Sequence, residues 1–294
     1  EILGQSRDPM AVQRHVYKDF AGFAKRAVIQ PGKQLNRNFE CFGMVSPEGE
    51  TAAFVANVVL DGAVEIWLGE LEKAMFLGMQ KLLAGAIAGY RGKKEKWIHD
   101  WQGQLLITTG AIQWTTDCTK ALVAISGGSK NAMKQTKKKQ IGFLNRMAEM
   151  IRNPLPKIVR KRLVALITME IHNRDVMEKL IKAKCAATSD FEWMSQLRFI
   201  FTKDEGQFGL CGVRQTNCIL EYGYEYQGNN GRLVVTPLTD RCILTLLTAK
   251  FLNRGGNPLG PAGTGKTETV KDLGKNLAYY VVVINCSDGH DFKS

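Results

Sequence analysis

The sequence predicts a mixed fold: a mostly α-helical body, a helix bundle with short strands, followed by the beginning of an α/β unit. Three observations predict it. Apolar residues recur at helical spacing through the first two-thirds of the chain. The character of the sequence changes near residue 222, and a glycine-rich loop ending in Lys-Thr stands at residues 260–267. A length of 294 residues suits about two domains. The expected division is 1–221 for the helical body and 222–294 for the α/β unit.

The elements follow in order. Over residues 65–83, Trp67, Leu71, Met75, Met79 and Leu82 recur at spacings of three and four, with Glu65, Glu72, Lys73, Gln80 and Lys81 mostly off that stripe. This predicts an amphipathic helix packed on one side. The short run Leu105-Leu-Ile-Thr-Thr109 is a strand candidate. Residues 131–151 and 159–183 predict two more helices, separated by Pro154 and Pro156. From Tyr222-Gly-Tyr-Glu-Tyr226 the chain runs into the turn signal Gly228-Asn-Asn-Gly231 and then Arg232-Leu-Val-Val-Thr236. Thr239 is expected to cap a helix with Ile243, Leu246, Leu247 and Phe251 on one face, stopped by Gly255-Gly256. After the loop, a helix over 266–278 and a buried strand over Tyr279-Tyr-Val-Val-Val-Ile284 complete the α/β order.

Composition excludes several classes. No run of eighteen apolar residues is present, so no membrane-spanning helix is expected. The first residues carry no secretory signal pattern, and the absence of an initiator Met is expected of a piece of something longer. Seven cysteines (Cys41, Cys118, Cys185, Cys211, Cys218, Cys242, Cys286) are scattered with no Cys-x-x-Cys pair, which points to reduced thiols in a cytosolic protein. His15, His99, His172 and His290 form no ligand pair, so zinc is not supported. The net charge is +12 and concentrated: residues 129–162 hold eleven Lys or Arg against one acid, Glu149. A solvated basic helix face accounts for that segment. No aromatic residues interleave with Lys137-Lys138-Lys139, as stacking on single strands requires, and nucleic acid is not an expected partner.

The loop carries the chemistry. Gly260, Pro261, Ala262, Gly263, Thr264, Gly265, Lys266 and Thr267 match G-x-x-x-x-G-K-[ST] in full, and Glu268 follows. Glycines let the loop curl so that backbone N–H groups point at phosphate oxygens. Lys266 is placed for the β- and γ-phosphates of ATP, or the β-phosphate of ADP, and Thr267 for Mg²⁺ through its hydroxyl. The helix that follows adds the positive end of its dipole. Hydrolysis also needs an acidic metal partner on a neighbouring strand and a carboxylate that orients water. Asp288 is the one nearby candidate, and it comes too soon after the loop; no catalytic residue is expected in this chain, which alone should be inactive.

These residues carry a resemblance. From Tyr222 onward, Tyr222-Gly-Tyr-Glu-Tyr226, Val235-Thr-Pro-Leu-Thr-Asp-Arg-Cys242, Gly260-Pro-Ala-Gly-Thr-Gly-Lys-Thr-Glu-Thr269 and Asn285-Cys-Ser-Asp288 resemble the start of the first AAA+ module of dynein heavy chains. Upstream, Met44-Val-Ser-Pro-Glu-Gly-Glu50, Val64-Glu-Ile-Trp67, Ile112-Gln-Trp-Thr115, Glu170-Ile-His-Asn-Arg-Asp175 and Phe191-Glu-Trp-Met-Ser-Gln-Leu-Arg198 resemble the dynein linker. Ile200-Phe201, where an aromatic pair is usual, and Gly85, Gly89 and Gly92, expected to loosen one helix, depart from the pattern.

The resemblance implies an ATPase motor in which this chain joins the linker to part of the first ring module. It implies adenine-side contacts from Val235, Pro237, Leu238 and Thr239. It also implies microtubules as a partner, reached through parts of the motor outside this chain, together with dynein intermediate and light chains and other heavy chains. The run 268–273 is more similar to axonemal than to cytoplasmic dyneins, which implies a cytoskeletal location in a ciliary or flagellar axoneme. Two alternatives stand beside it: a helical scaffold or regulator that binds ATP or ADP without hydrolysing it, and a basic nucleic-acid-binding protein with an incidental loop.

Overall fold

The computed structural model describes residues 9, 12, 27–31, 39–229 and 231–286. Asp288, His15 and His290 lie outside them. Strands β1 (Ala27–Pro31), β2 (Phe39–Val45) and β3 (Thr51–Leu60) form an antiparallel sheet in that order. The turn between β2 and β3 is closed by Ser46, whose N–H donates to the Glu50 carbonyl at 2.8 Å and whose hydroxyl accepts from the Glu50 N–H at 3.1 Å. Helix α1 (Val64–Gly89) lies against β3 and buries Trp67, Leu71, Met75, Met79 and Leu83, the stripe read from the sequence with its last position moved from Leu82 to Leu83.

Four helices complete the body: α2 (Lys94–Asp100), α3 (Gly103–Ser126), α4 (Ala132–Arg152) and α5 (Lys157–Lys182). Two clusters hold them together. One gathers Trp114, Cys118, Leu122, Met133, Val176, Met177, Leu180 and Trp193; the other gathers Trp97, Ile98, Leu106, Phe143, Met147, Leu163 and Leu166. The short helix α6 (Phe191–Met194) leads into a second antiparallel sheet, β4 (Arg198–Thr202), β5 (Leu210–Gln215) and β6 (Cys218–Glu221). Helices α7 (Pro237–Phe251) and α8 (Lys266–Leu277) follow. No helix among the described residues is long and apolar enough to cross a membrane.

Several sequence expectations are corrected. Leu105–Thr109 is not a strand but part of the first two turns of α3, where Leu105, Leu106, Thr108 and Thr109 are all buried. A helix enclosed on several sides shows no polar face, so a short stretch of it reads like a buried strand. Gly85 and Gly89 do not loosen α1. The Trp101 ring lies against them, 2.6 Å from where a Cβ at Gly85 would stand, so the glycines make room for an aromatic side chain. The cap of α7 is Thr236, not Thr239. Pro237 takes the first helical position, where its fixed φ and missing N–H cost nothing, and Thr239 closes a reciprocal capping box with Thr236. Helix α7 ends at Phe251, with Asn253 left-handed at φ 53°, ahead of Gly255. Residues 279–284 form no strand; Val282 and Ile284 are exposed, and no strand among the described residues pairs with them.

Candidate functional site

The loop is built on the N-terminus of α8. Gly265 caps the helix in the left-handed region at φ 77°, and Gly263 does the same within the loop at φ 75°. Apart from the neighbouring residues of the chain, nothing lies within 4 Å of where a Cβ would stand at either position, so it is backbone conformation and not crowding that calls for glycine there. The first helical bond runs from the Thr269 N–H to the Gly265 carbonyl at 2.9 Å. By helix geometry the amides ahead of it have no intrahelical partner. The Lys266 ammonium folds back across the loop and donates to the carbonyls of Gly260 (2.8 Å) and Pro261 (2.6 Å). Thr264 donates to the Pro261 carbonyl at 2.8 Å. Thr267 and Glu268 are exposed, and the Glu268 carboxyl is held below its usual range by the hydrogen bond from Lys271 at 2.9 Å. A curl of glycines, a helix N-terminus and a long cation reaching over the loop fit a polyphosphate.

The segment before α7 is brought to α8 by a buried ion pair absent from the sequence expectations. Arg232 bonds Asp272 through two nitrogens (3.0 and 3.2 Å), and both side chains are almost wholly buried. This pins residues 232–236 beside the helix that carries Lys266. Val235 and Thr239 thereby line a shallow crevice with Leu233, Val234, Ile243, Thr269 and Asp272. The crevice opens one helical turn beyond the loop. Pro237 and Leu238 stand outside it, and the Leu238 side chain is 80% exposed. Of the four implied adenine-side residues, the structure gathers two and leaves two facing solvent.

The unit from Tyr222 is not loosely tethered to the helical body. Tyr222, Tyr224, Tyr226, Ile243, Leu247, Leu273 and Leu277 share one core with α1 and the first sheet. The basic segment also resolves. Lys137 pairs with Glu178 at 3.4 Å, Arg160 donates to the carbonyls of Ile151 and Asn153, and Arg162 is buried. Lys138 and Lys139 are exposed on α4. Replacing Lys137, Lys138 and Lys139 together by Ala is expected to change stability by about 0.5 kcal/mol or less, as for ordinary surface positions. Duplex DNA binding and nucleotide turnover should not change. Loss of duplex binding with a steep salt slope would contradict this.

Loop and following helix together have the form of a P-loop, a backbone arrangement suited to phosphate. A family model for the hydrolytic ATP-binding site of the dynein motor region matches residues 222–294, and one for the dynein heavy chain N-terminal region 2 matches residues 1–86. The chain is 51% identical over 294 residues to the dynein-1-beta heavy chain of the flagellar inner arm I1 complex of Chlamydomonas reinhardtii, covering 100% of this chain and 6% of that protein. It is 49% identical over 298 residues to dynein axonemal heavy chain 2 of Homo sapiens, covering 100% and 7%. With dynein axonemal heavy chain 6 of Homo sapiens it shares 40% over 308 residues, again 100% and 7%. The chain belongs to the dynein heavy chain family. It spans less than a tenth of the length of these relatives.

Proposed function

We propose that this chain is the junction of an axonemal dynein motor, with residues 1–221 as linker and 222–294 as the opening of the first AAA+ module. The loop 260–267 holds ATP or ADP with Mg²⁺, and its state drives linker movement and, through it, force production along microtubules in a ciliary or flagellar axoneme. Intermediate and light chains and other heavy chains are its partners in assembly. The observation that carries the reading is the loop itself: left-handed Gly263 and Gly265 at the start of a helix, with the Lys266 ammonium reaching across it. Identity of 51% spread along the whole chain favours this over a scaffold or a nucleic-acid-binding protein.

In this reading Lys266 exchanges its two carbonyl partners for phosphate oxygens. Thr267 offers its hydroxyl to Mg²⁺, which when bound neutralises charge on the β- and γ-phosphates. Val235 and Thr239 border the adenine, with Pro237 and Leu238 on the outer side of that wall. The water-orienting carboxylate comes from outside residues 39–286. Thr267→Val tests the assignment at nearly constant volume. In the intact motor, hydrolysis should fall about tenfold or more and need higher Mg²⁺, while Mg²⁺-free nucleotide affinity stays within about twofold. An unchanged Mg²⁺ dependence would remove Thr267 from the site.

A further inference from the structure

The segment 222–227 is held from both sides. On one side is Gln104 in the first turn of α3. Its side-chain amide donates to the Glu225 carbonyl (2.7 Å) and to the Tyr222 hydroxyl (3.2 Å), and its oxygen accepts from the Gln227 N–H (2.8 Å). The Tyr222 hydroxyl also meets Thr108 at 3.0 Å, and Thr108 donates to the Gln104 carbonyl at 3.0 Å. Both amide hydrogens and the amide oxygen of Gln104 are therefore used, all toward one segment. On the other side is the C-terminus of α8. Its last carbonyls accept from that same segment: Leu277 from the Gly223 N–H (2.9 Å) and Ala278 from the Glu225 N–H (3.0 Å). The Gln227 side chain adds a bond to the Tyr279 carbonyl at 2.7 Å.

Between these clamps, Tyr224 is left-handed at φ 53°, a costly conformation for a bulky residue that persists only when the surroundings over-determine it. Its hydroxyl accepts from the Cys211 N–H at 2.6 Å. A continuous path of buried hydrogen bonds thus runs from α3 through residues 222–227 to the end of α8, whose other end carries Lys266 one helix length, about 18 Å, away. The packing is two-sided, so a displacement of α8 cannot be absorbed by slack in the segment.

We propose that Gln104 is the positioning residue that couples the nucleotide loop to the helical body, an inference that rests on the motor reading above. Gln104 touches neither nucleotide nor metal. It fixes the segment against which α8 bears, so that movement of α8 becomes movement of α3. Glutamine is required because the site needs two donors and one acceptor on a single planar group; glutamate supplies no donor and places a charge against the Glu225 carbonyl.

The test uses the intact heavy chain and reads the ratio of microtubule gliding velocity to ATP hydrolysis, which a merely structural role would leave constant. In Gln104→Glu, hydrolysis and nucleotide affinity should stay within about twofold while gliding falls about fivefold or more, the range of a lost coupling between sites. Tyr222→Phe keeps the shape and the two backbone contacts of Gln104, and should lower the same ratio by a smaller factor. An unchanged ratio in Tyr222→Phe, or gliding and hydrolysis falling in parallel in either variant, overturns the coupling role. Lys266→Ala, run beside them, addresses the loop itself. If it abolishes nucleotide binding while Gln104→Glu leaves the ratio unchanged, the coupling role fails and the site reading stands.

Discussion

Replacing Lys266 with Ala is expected to abolish nucleotide binding at the 260–267 loop and, in the intact motor, to stop gliding. The ammonium is the only cation within the loop, and it already reaches across to the carbonyls of Gly260 and Pro261. Those two contacts show that the side chain has the length and direction to span the curl. A phosphate oxygen offers a charged acceptor where a carbonyl offers a neutral one, so the ammonium gains the attraction between opposite charges when it turns to phosphate. Hydrogen bonds to charged groups contribute about 1.5–3 kcal/mol each, so two amount to about a hundredfold or more in affinity. Arginine at this position would not rescue, because a planar fork does not place a point charge between two phosphates. Nucleotide bound elsewhere in a long motor would mask the loss in total binding, so gliding is the better measure. Near-normal gliding by the Lys266→Ala motor would mean that this loop does not power movement.

What the sequence made legible follows from how far apart the cooperating residues stand. The loop was legible in full, since its geometry is set by eight consecutive residues and the helix after them. Helices α1, α4 and α5 were legible because each has one buried face and one wet face, which writes a period of 3.6 into the chain. Helix α3 was not: it is packed on several sides, and Leu105 to Thr109 carry no polar face to betray it. The hairpin of β2 and β3 was not read, although Ser46-Pro-Glu-Gly49 carries a turn signal, with Gly49 left-handed at φ 88°. The contacts that dock the unit from Tyr222 were hidden. Gln104 and Glu225 are 121 positions apart, and Arg232 and Asp272 are 40 apart, so no periodicity or spacing pairs them. Arg162 was misread as one more charge on a basic face, because nothing near it in sequence distinguishes it from Arg160 or Lys161.

Arg162 carries the second large expected effect. Its guanidinium bonds the Glu50 carboxylate, which has no exposed side-chain surface, and also donates to the His99 carbonyl at 2.7 Å. Glu50 accepts from the Gly103 N–H at the start of α3 (3.2 and 3.4 Å), where the helix dipole favours a carboxylate, and its backbone carbonyl accepts from the Tyr226 hydroxyl at 3.1 Å. One pair therefore joins the β2–β3 turn, the ends of α2 and α3, helix α5 and the tyrosine segment. Glu50→Ala leaves a guanidinium buried with one carbonyl for a partner, and breaking such a pair from one side costs about 3–5 kcal/mol. The whole stability of a domain is about 5–15 kcal/mol, so chemical denaturation should show a large fall in midpoint. The pair itself is a different matter, because desolvating both ions offsets much of their attraction. The double variant Glu50→Leu, Arg162→Met should therefore be less destabilised than Glu50→Ala alone, since it removes the buried charges along with their bond. If the double variant instead loses the sum of the losses of the single variants Glu50→Leu and Arg162→Met, the pair is not coupled, and the stability of this junction resides in the apolar packing around it.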